Sequence, residues 1–179
     1  VNGFELAEML WTGRWARRFL PAQPLPTQRF PKVSLHLAIC NEPANRVIET
    51  LDSLAALDYP DFEVLVIDNN TPSPETWKPV EAHCRQLGER FRFYSLGKWP
   101  GLKAGALNFA LRETAPDAEI VGVVDSDSVV ERDWLKGLVP HFNRPEVGFV
   151  QAPQDHRAWE GKRFQEMINW EYAGFFHLG

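Results

Sequence analysis

The run IVGVVDSDSVVERDW, Ile120 to Trp134, decides how the chain is read. Five residues, four of them apolar and mostly β-branched, lead straight into Asp125 and Asp127, after which apolar residues resume. The β-branched run is strand chemistry. Burying an unpaired carboxylate costs several kcal/mol, so the two acids belong at a strand end that faces water, a cation or a ligand.

Working outward from that strand, the chain alternates. VSLHLAIC (33–40), FEVLVID (62–68), FRFYSL (91–96) and VGFVQA (147–152) are short β-branched or aromatic runs bounded by Pro, Gly, Asn and Asp, and with 120–125 they predict five strands. Helical periodicity fills the gaps. In NRVIETLDSLAALDYP, Val47, Ile48, Leu51, Leu54 and Ala55 share a face, Asn45 is the expected cap and Pro60 forbids continuation. KAGALNFALRETAP and RDWLKGLVPHF predict two more helices. Alternating strands and helices imply right-handed crossovers, hence an α/β fold with a mostly parallel central sheet flanked by helices.

In such sheets ligands bind beyond the carboxyl ends of the strands. Four polar clusters fall there: Asn41 with Glu42, Asp68 with Asn69 and Asn70, Asp125 with Asp127, and Gln151 with Gln154. Each alone also fits ordinary turn chemistry; their convergence on one edge points to a site. Two carboxylates one residue apart suit a hard cation such as Mn²⁺ or Mg²⁺, with a ligand supplying the remaining oxygens, as a nucleoside diphosphate would. GLKAGALN (101–108) opens a helix with a lysine and free backbone N–H groups that suit phosphate or uracil oxygens, although its spacing is neither a Walker loop nor a dinucleotide fingerprint.

Composition bounds the rest. With 179 residues, 44% hydrophobic and 24% charged, the chain is an ordinary globular domain in size and balance. A net charge of −5 argues against a nucleic-acid surface. Cys40 and Cys84 lie in no CxxC spacing, so neither a zinc site nor a disulfide framework is indicated, and Cys40 is expected as a buried thiol. No stretch reaches the roughly 20 apolar residues of a membrane-spanning helix. Residues 1–31 form a separate region. Trp11, Trp15 and Phe19 at helical spacing beside Arg14, Arg17 and Arg18 suit either a membrane interface or docking on the domain itself, and the Pro-rich stretch from Leu20 to Val33 is an extended tether.

The ordered set LAICNEP, VIDNNT, GLKAGALNFAL, VVDSDSVV and VGFVQAPQ resembles the nucleotide-binding half of family 2 glycosyltransferases of the GT-A (Rossmann-like) fold, particularly membrane-bound, cellulose-synthase-like enzymes. The resemblance covers residues 32–179. It implies an inverting transfer from a UDP-sugar, UDP-glucose first, to a growing polysaccharide or oligosaccharide, with Mn²⁺ or Mg²⁺. It further implies that Asp68 binds the uracil end, that Lys103 lies near the nucleotide, that Asp125 serves the ribose and donor side, and that Asp127 holds the metal with Asp125. Glu42 sits at the family's start-of-domain position. YAGFFHLG resembles the segment before the family's catalytic base, so the resemblance implies a domain truncated at its C-terminal side, with the base beyond Gly179. Relatives of this kind carry transmembrane helices, which implies a cytoplasmic domain of a bacterial-type inner-membrane protein, held there by helices outside this chain and by residues 1–20. Two rivals remain. A non-catalytic nucleotide-sugar-binding module would also lack the base. A haloacid-dehalogenase-type phosphatase would use Asp125 as nucleophile, but its motif belongs on a first strand, and here three strands precede it.

Overall fold

A computed structural model of the protein describes Trp11, residues 30–152 and residues 161–169. Four strands, β1 (Val33–Ile39), β2 (Phe62–Asp68), β3 (Phe91–Ser95) and β4 (Ile120–Val124), form one parallel sheet in the order β3-β2-β1-β4. Between and after the strands lie the helices α1 (Ala44–Ala55), α2 (Pro74–Leu87), α3 (Leu102–Glu113) and α4 (Trp134–Leu138), the last running into a 3₁₀ turn, Val139–Asn143, and residues 163–169 are also helical. The α/β expectation therefore holds.

Central strands β1 and β2 are buried at every residue, and their side chains divide between two layers. Val33, Leu35, Leu37 and Ile39 of β1 and Phe62, Val64 and Val66 of β2 pack with Val47, Leu51 and Leu54 of α1 and Val80 and Cys84 of α2. On the other face Ala38, Leu65 and Ile67 meet Ala106 and Ala110 of α3. That second core is small because Ser34, His36 and Glu63 occupy the same face of β1 and β2 nearer the amino ends, all buried. Small alanines on α3 let the helix lie close to the sheet.

Three local expectations change, and one helix is added. Helix α1 starts at Ala44 with Pro43 as its N-cap residue and no side-chain cap bond, so Asn45 lies inside the first turn rather than capping it. Cys40 is exposed, not buried, because β1 ends at Ile39 and Asn41, in a left-handed conformation, turns the chain off the sheet. Residues 147–152 form no strand: among the described residues the sheet stops at edge strand β4, and apolar alternation without a paired neighbour makes no ladder. Helix α2 had no sequence expectation. Its start follows the rules, with Ser73 Oγ accepting from the Glu75 N–H at 3.3 Å and Pro74 at the first position, while interior Pro79 masks the pattern. The expected amphipathic helix and tether of residues 1–31 lie almost wholly outside the described residues. Among the described residues no helix is long and apolar enough to cross a membrane.

Candidate nucleotide-binding site

The parallel register aligns the carboxyl ends of three strands. Ile39 of β1 pairs with Asp68 of β2, and Leu37 with Val124 of β4, so the turns that follow share one edge. A cleft opens there, lined by Ile39, Cys40, Glu42, Asn69, Leu102, Lys103, Asp125 and Ser126, with Ala38 at its floor. Three of the four predicted clusters meet at this edge. Gln151 is exposed outside the cleft, and Gln154 lies outside the described residues.

Lys103 Nζ donates to Asp125 Oδ1 across the cleft mouth, both side chains remaining about half exposed. The Asp125–Ser128 turn is closed by the Ser128 N–H donating to the Asp125 carbonyl at 3.1 Å. It is also tied to α1: buried Thr50 donates through Oγ1 to the Ser126 carbonyl at 2.9 Å, and the Val130 N–H donates to Ser53 Oγ at 3.2 Å. Thr50 and Ser53 went unnoticed in the sequence because a hydroxyl within a helix usually bonds its own backbone. Asp127 is exposed on the same turn. Glu42 accepts from the Cys40 N–H, which keeps its carboxylate folded over the end of β1.

Asp68 sits at the carboxyl end of β2, directly behind the cleft lining. Its side chain is 1% exposed and lines no part of the cleft. Both oxygens are engaged, Oδ1 by the Thr71 hydroxyl and Oδ2 by the Ser95 hydroxyl at 3.2 Å, and Thr71 Oγ1 accepts from the Asn41 N–H at 2.8 Å. Burial pushes the Asp68 carboxyl above its ordinary range despite those two bonds. Its neighbour Asn69, also buried, is among the residues lining the cleft, with its amide donating to the Leu102 carbonyl at 2.9 Å.

No group of three or more His, Cys, Asp or Glu side chains suited to a metal occurs among the described residues. The two-carboxylate turn nevertheless fits a hard cation that draws other ligands from a diphosphate and water, since Asp125 already turns an oxygen toward a positive charge, the Lys103 ammonium.

Residues 34–179 match the glycosyl transferase family 2 pattern. The chain belongs to glycosyl transferase family 2. Among curated relatives, a beta-monoglucosyldiacylglycerol synthase of Synechocystis sp. is 35% identical over 129 residues, covering 70% of this chain and 26% of that protein. An N-acetylglucosaminyltransferase of Azorhizobium caulinodans is 27% identical over 145 residues, covering 79% and 35%. The chain thus spans about a quarter to a third of these relatives. Among solved structures, a mannosyltransferase of Pyrobaculum calidifontis in complex with GDP-Man and Mn²⁺ superposes with a TM-score of 0.67 at 30% identity, over 86% of this chain and 45% of that one. S. aureus TarS in complex with UDP-GlcNAc gives 0.51 at 26% identity, over 69% and 37%. The family 2 membership and these GT-A neighbours bear out the fold expectation.

Proposed function

We propose that this domain binds a UDP-sugar with a divalent cation and serves the inverting transfer of that sugar to a saccharide acceptor, with UDP-glucose the first donor to test. The observation that carries the reading is the Lys103–Asp125 contact across the cleft, beside Asp127 on a turn pinned to α1. Asp125 and Asp127 would hold Mn²⁺ or Mg²⁺, and the bound cation would supply the positive charge that stabilises a diphosphate leaving group. Lys103, an ammonium with three donors, binds diphosphate oxygens from the other side.

Asn69 takes the base contact in this reading. With its amide N–H₂ committed to Leu102, its carbonyl oxygen is the acceptor for a nucleobase N–H. Asp68 supports the turn from behind through Thr71 and Ser95, and Glu42 accepts a donor hydroxyl at the opposite wall. The acceptor-activating base is assigned to none of the cleft residues. Binding of GDP-Man and UDP-GlcNAc by structural neighbours supports the donor class, and the glucosyl- and N-acetylglucosaminyltransferase relatives support a hexose. A lipid-linked acceptor, and with it an inner-membrane setting, draws support from the diacylglycerol glycolipid in the Synechocystis relative's name.

Calorimetry with UDP-glucose, UDP, CDP and GDP-mannose, each in Mn²⁺ and in EDTA, tests the reading. UDP compounds should bind most tightly and only with metal. Tighter binding of GDP-mannose would overturn the uridine assignment, and equal affinity in EDTA would remove the cation.

A further inference from the structure

We propose that Asn70 is a positioning residue that aims Lys103 at the diphosphate, a role that rests on the nucleotide-binding reading above. Asn70 lines no part of the cleft, yet it makes three bonds to the loop that leads into α3. Its side-chain N–H₂ donates to the Trp99 carbonyl at 2.9 Å, its Oδ1 accepts from the Trp99 N–H at 3.1 Å, and its own backbone N–H donates to the Gly97 carbonyl at 2.7 Å. A side-chain amide that both gives and takes at one residue fixes that residue's peptide planes in orientation as well as distance.

The clamp continues into the helix. The Trp99 indole N–H donates to the Gly105 carbonyl at 3.2 Å, and its ring meets Phe109 edge to face at 5.7 Å. Pro100 lies so close to α3 that a Cβ on Gly105 would stand 1.9 Å from the Pro100 carbonyl oxygen, so only glycine permits this seat. Gly101 (φ 85°) and Leu102 (φ 49°) both take left-handed backbone, the latter a conformation that β-carbon sterics disfavour outside glycine and asparagine. Leu102 is also 72% exposed, so packing does not hold it there. The bonds from the turn after β2 do: the Asn69 amide donates to the Leu102 carbonyl and the Asn70 amide to the Trp99 carbonyl, one on each side of Pro100–Gly101. Lys103 is the next residue. Release of the loop lets Leu102 relax to negative φ, and that rotation swings Lys103 away from Asp125.

Asn70→Gly is the informative variant, because glycine accepts the left-handed φ of 61° at this position and only the side-chain clamp is lost. UDP affinity in Mn²⁺ is measured by calorimetry on the full chain, well below the melting temperature, for wild type, Asn70→Gly, Lys103→Ala and the double variant. The expected result is about tenfold weaker binding for either single variant and no further loss in the double, since the asparagine acts through the lysine. Equal weakening by Asn70→Gly with and without Lys103, or no weakening at all, overturns the proposal while leaving the role of Lys103 intact. Unchanged affinity in Lys103→Ala instead overturns the underlying reading of Lys103. Gly105→Ala attacks the same seat from the helix side and should reproduce the Asn70→Gly result.

Discussion

Strand β2 carries a buried carboxylate near each end, and the two are treated oppositely. Glu63, at the amino end, meets a cation and a backbone donor: Arg92 at 2.5 Å, the Ala115 N–H at 2.8 Å and the Ser34 hydroxyl at 2.7 Å. Burial alone would raise its pKa, and those partners outweigh burial and hold it below the ordinary range. Asp68, at the carboxyl end, has only two hydroxyls and is pushed up. The cation on that side, Lys103, pairs with half-exposed Asp125 instead. One end of the sheet therefore spends its charges on holding α3, whose last residue, Glu113, gives its carbonyl to Arg92 at 2.8 Å. The other end keeps its charges where a ligand can reach them.

The contrast breaks most visibly at Glu63. Glu63→Ala strands Arg92 and the Ser34 and Ala115 donors, and should cost about 2 to 3 kcal/mol, less than a fully buried pair because Arg92 reaches solvent. Thermal melts should show a fall of roughly 5 to 10 °C with UDP affinity preserved. Lys103→Ala should do the reverse, with a melting temperature within about 2 °C of wild type, since exposed ion pairs contribute little, but UDP–Mn²⁺ binding about tenfold weaker. Nucleotide-free Mn²⁺ should bind that variant more tightly, because the ammonium no longer competes for Asp125, and electron paramagnetic resonance of free Mn²⁺ reads this directly.

Acid sharpens the comparison further. His36 is held neutral by burial, with its pKa lowered. The other ionisable group facing it is Glu63, while Nε2 lies 3.1 Å from Ser34 Oγ and 3.0 Å from Thr114 Oγ1. Both hydroxyls spend their protons elsewhere, Ser34 on Glu63 and Thr114 on the Ala110 carbonyl, so Nε2 carries the hydrogen. The unfolded chain then binds a proton that the folded chain refuses, and stability should fall as pH drops below about 6.5. Glu63 adds a later loss as pH falls from its unfolded value of about 4.5 through its lower folded one. Asp68 has the opposite sign, its raised pKa costing stability above about 3.8, so Asp68→Asn should be nearly neutral at pH 7, within about 1 kcal/mol. Melts from about pH 2.5 to 8 on wild type, His36→Asn and Asp68→Asn would separate the three.

Much of this was legible before any coordinates. Apolar β-branched runs identified all four strands of the sheet, the strand-end rule gathered Glu42, Asn69, Asp125 and Asp127 at one edge, and the helix-opening GLKAGALN separately pointed to Lys103. What escaped was pairing. The run at 147–152 has strand composition but lies beyond edge strand β4, and composition cannot report a missing neighbour. Asp68 and Asn69 are adjacent in a strand end, where successive side chains point opposite ways, and only the register decides which of them faces the cleft. The Glu63–Arg92–Ser34 network joins residues up to 58 positions apart in a sequence that shows no local sign of it.

The central claim is that Asp125 and Asp127 serve a ligand rather than the fold. Titration of UDP into wild type and Asp127→Asn, each with Mn²⁺ and with EDTA, tests it directly. The account predicts wild-type binding that weakens about tenfold or more in EDTA, and an Asp127→Asn variant that melts like wild type but binds UDP weakly and equally in both buffers. Metal-independent UDP binding by wild type, or an Asp127→Asn variant that keeps its full response to Mn²⁺, would contradict it.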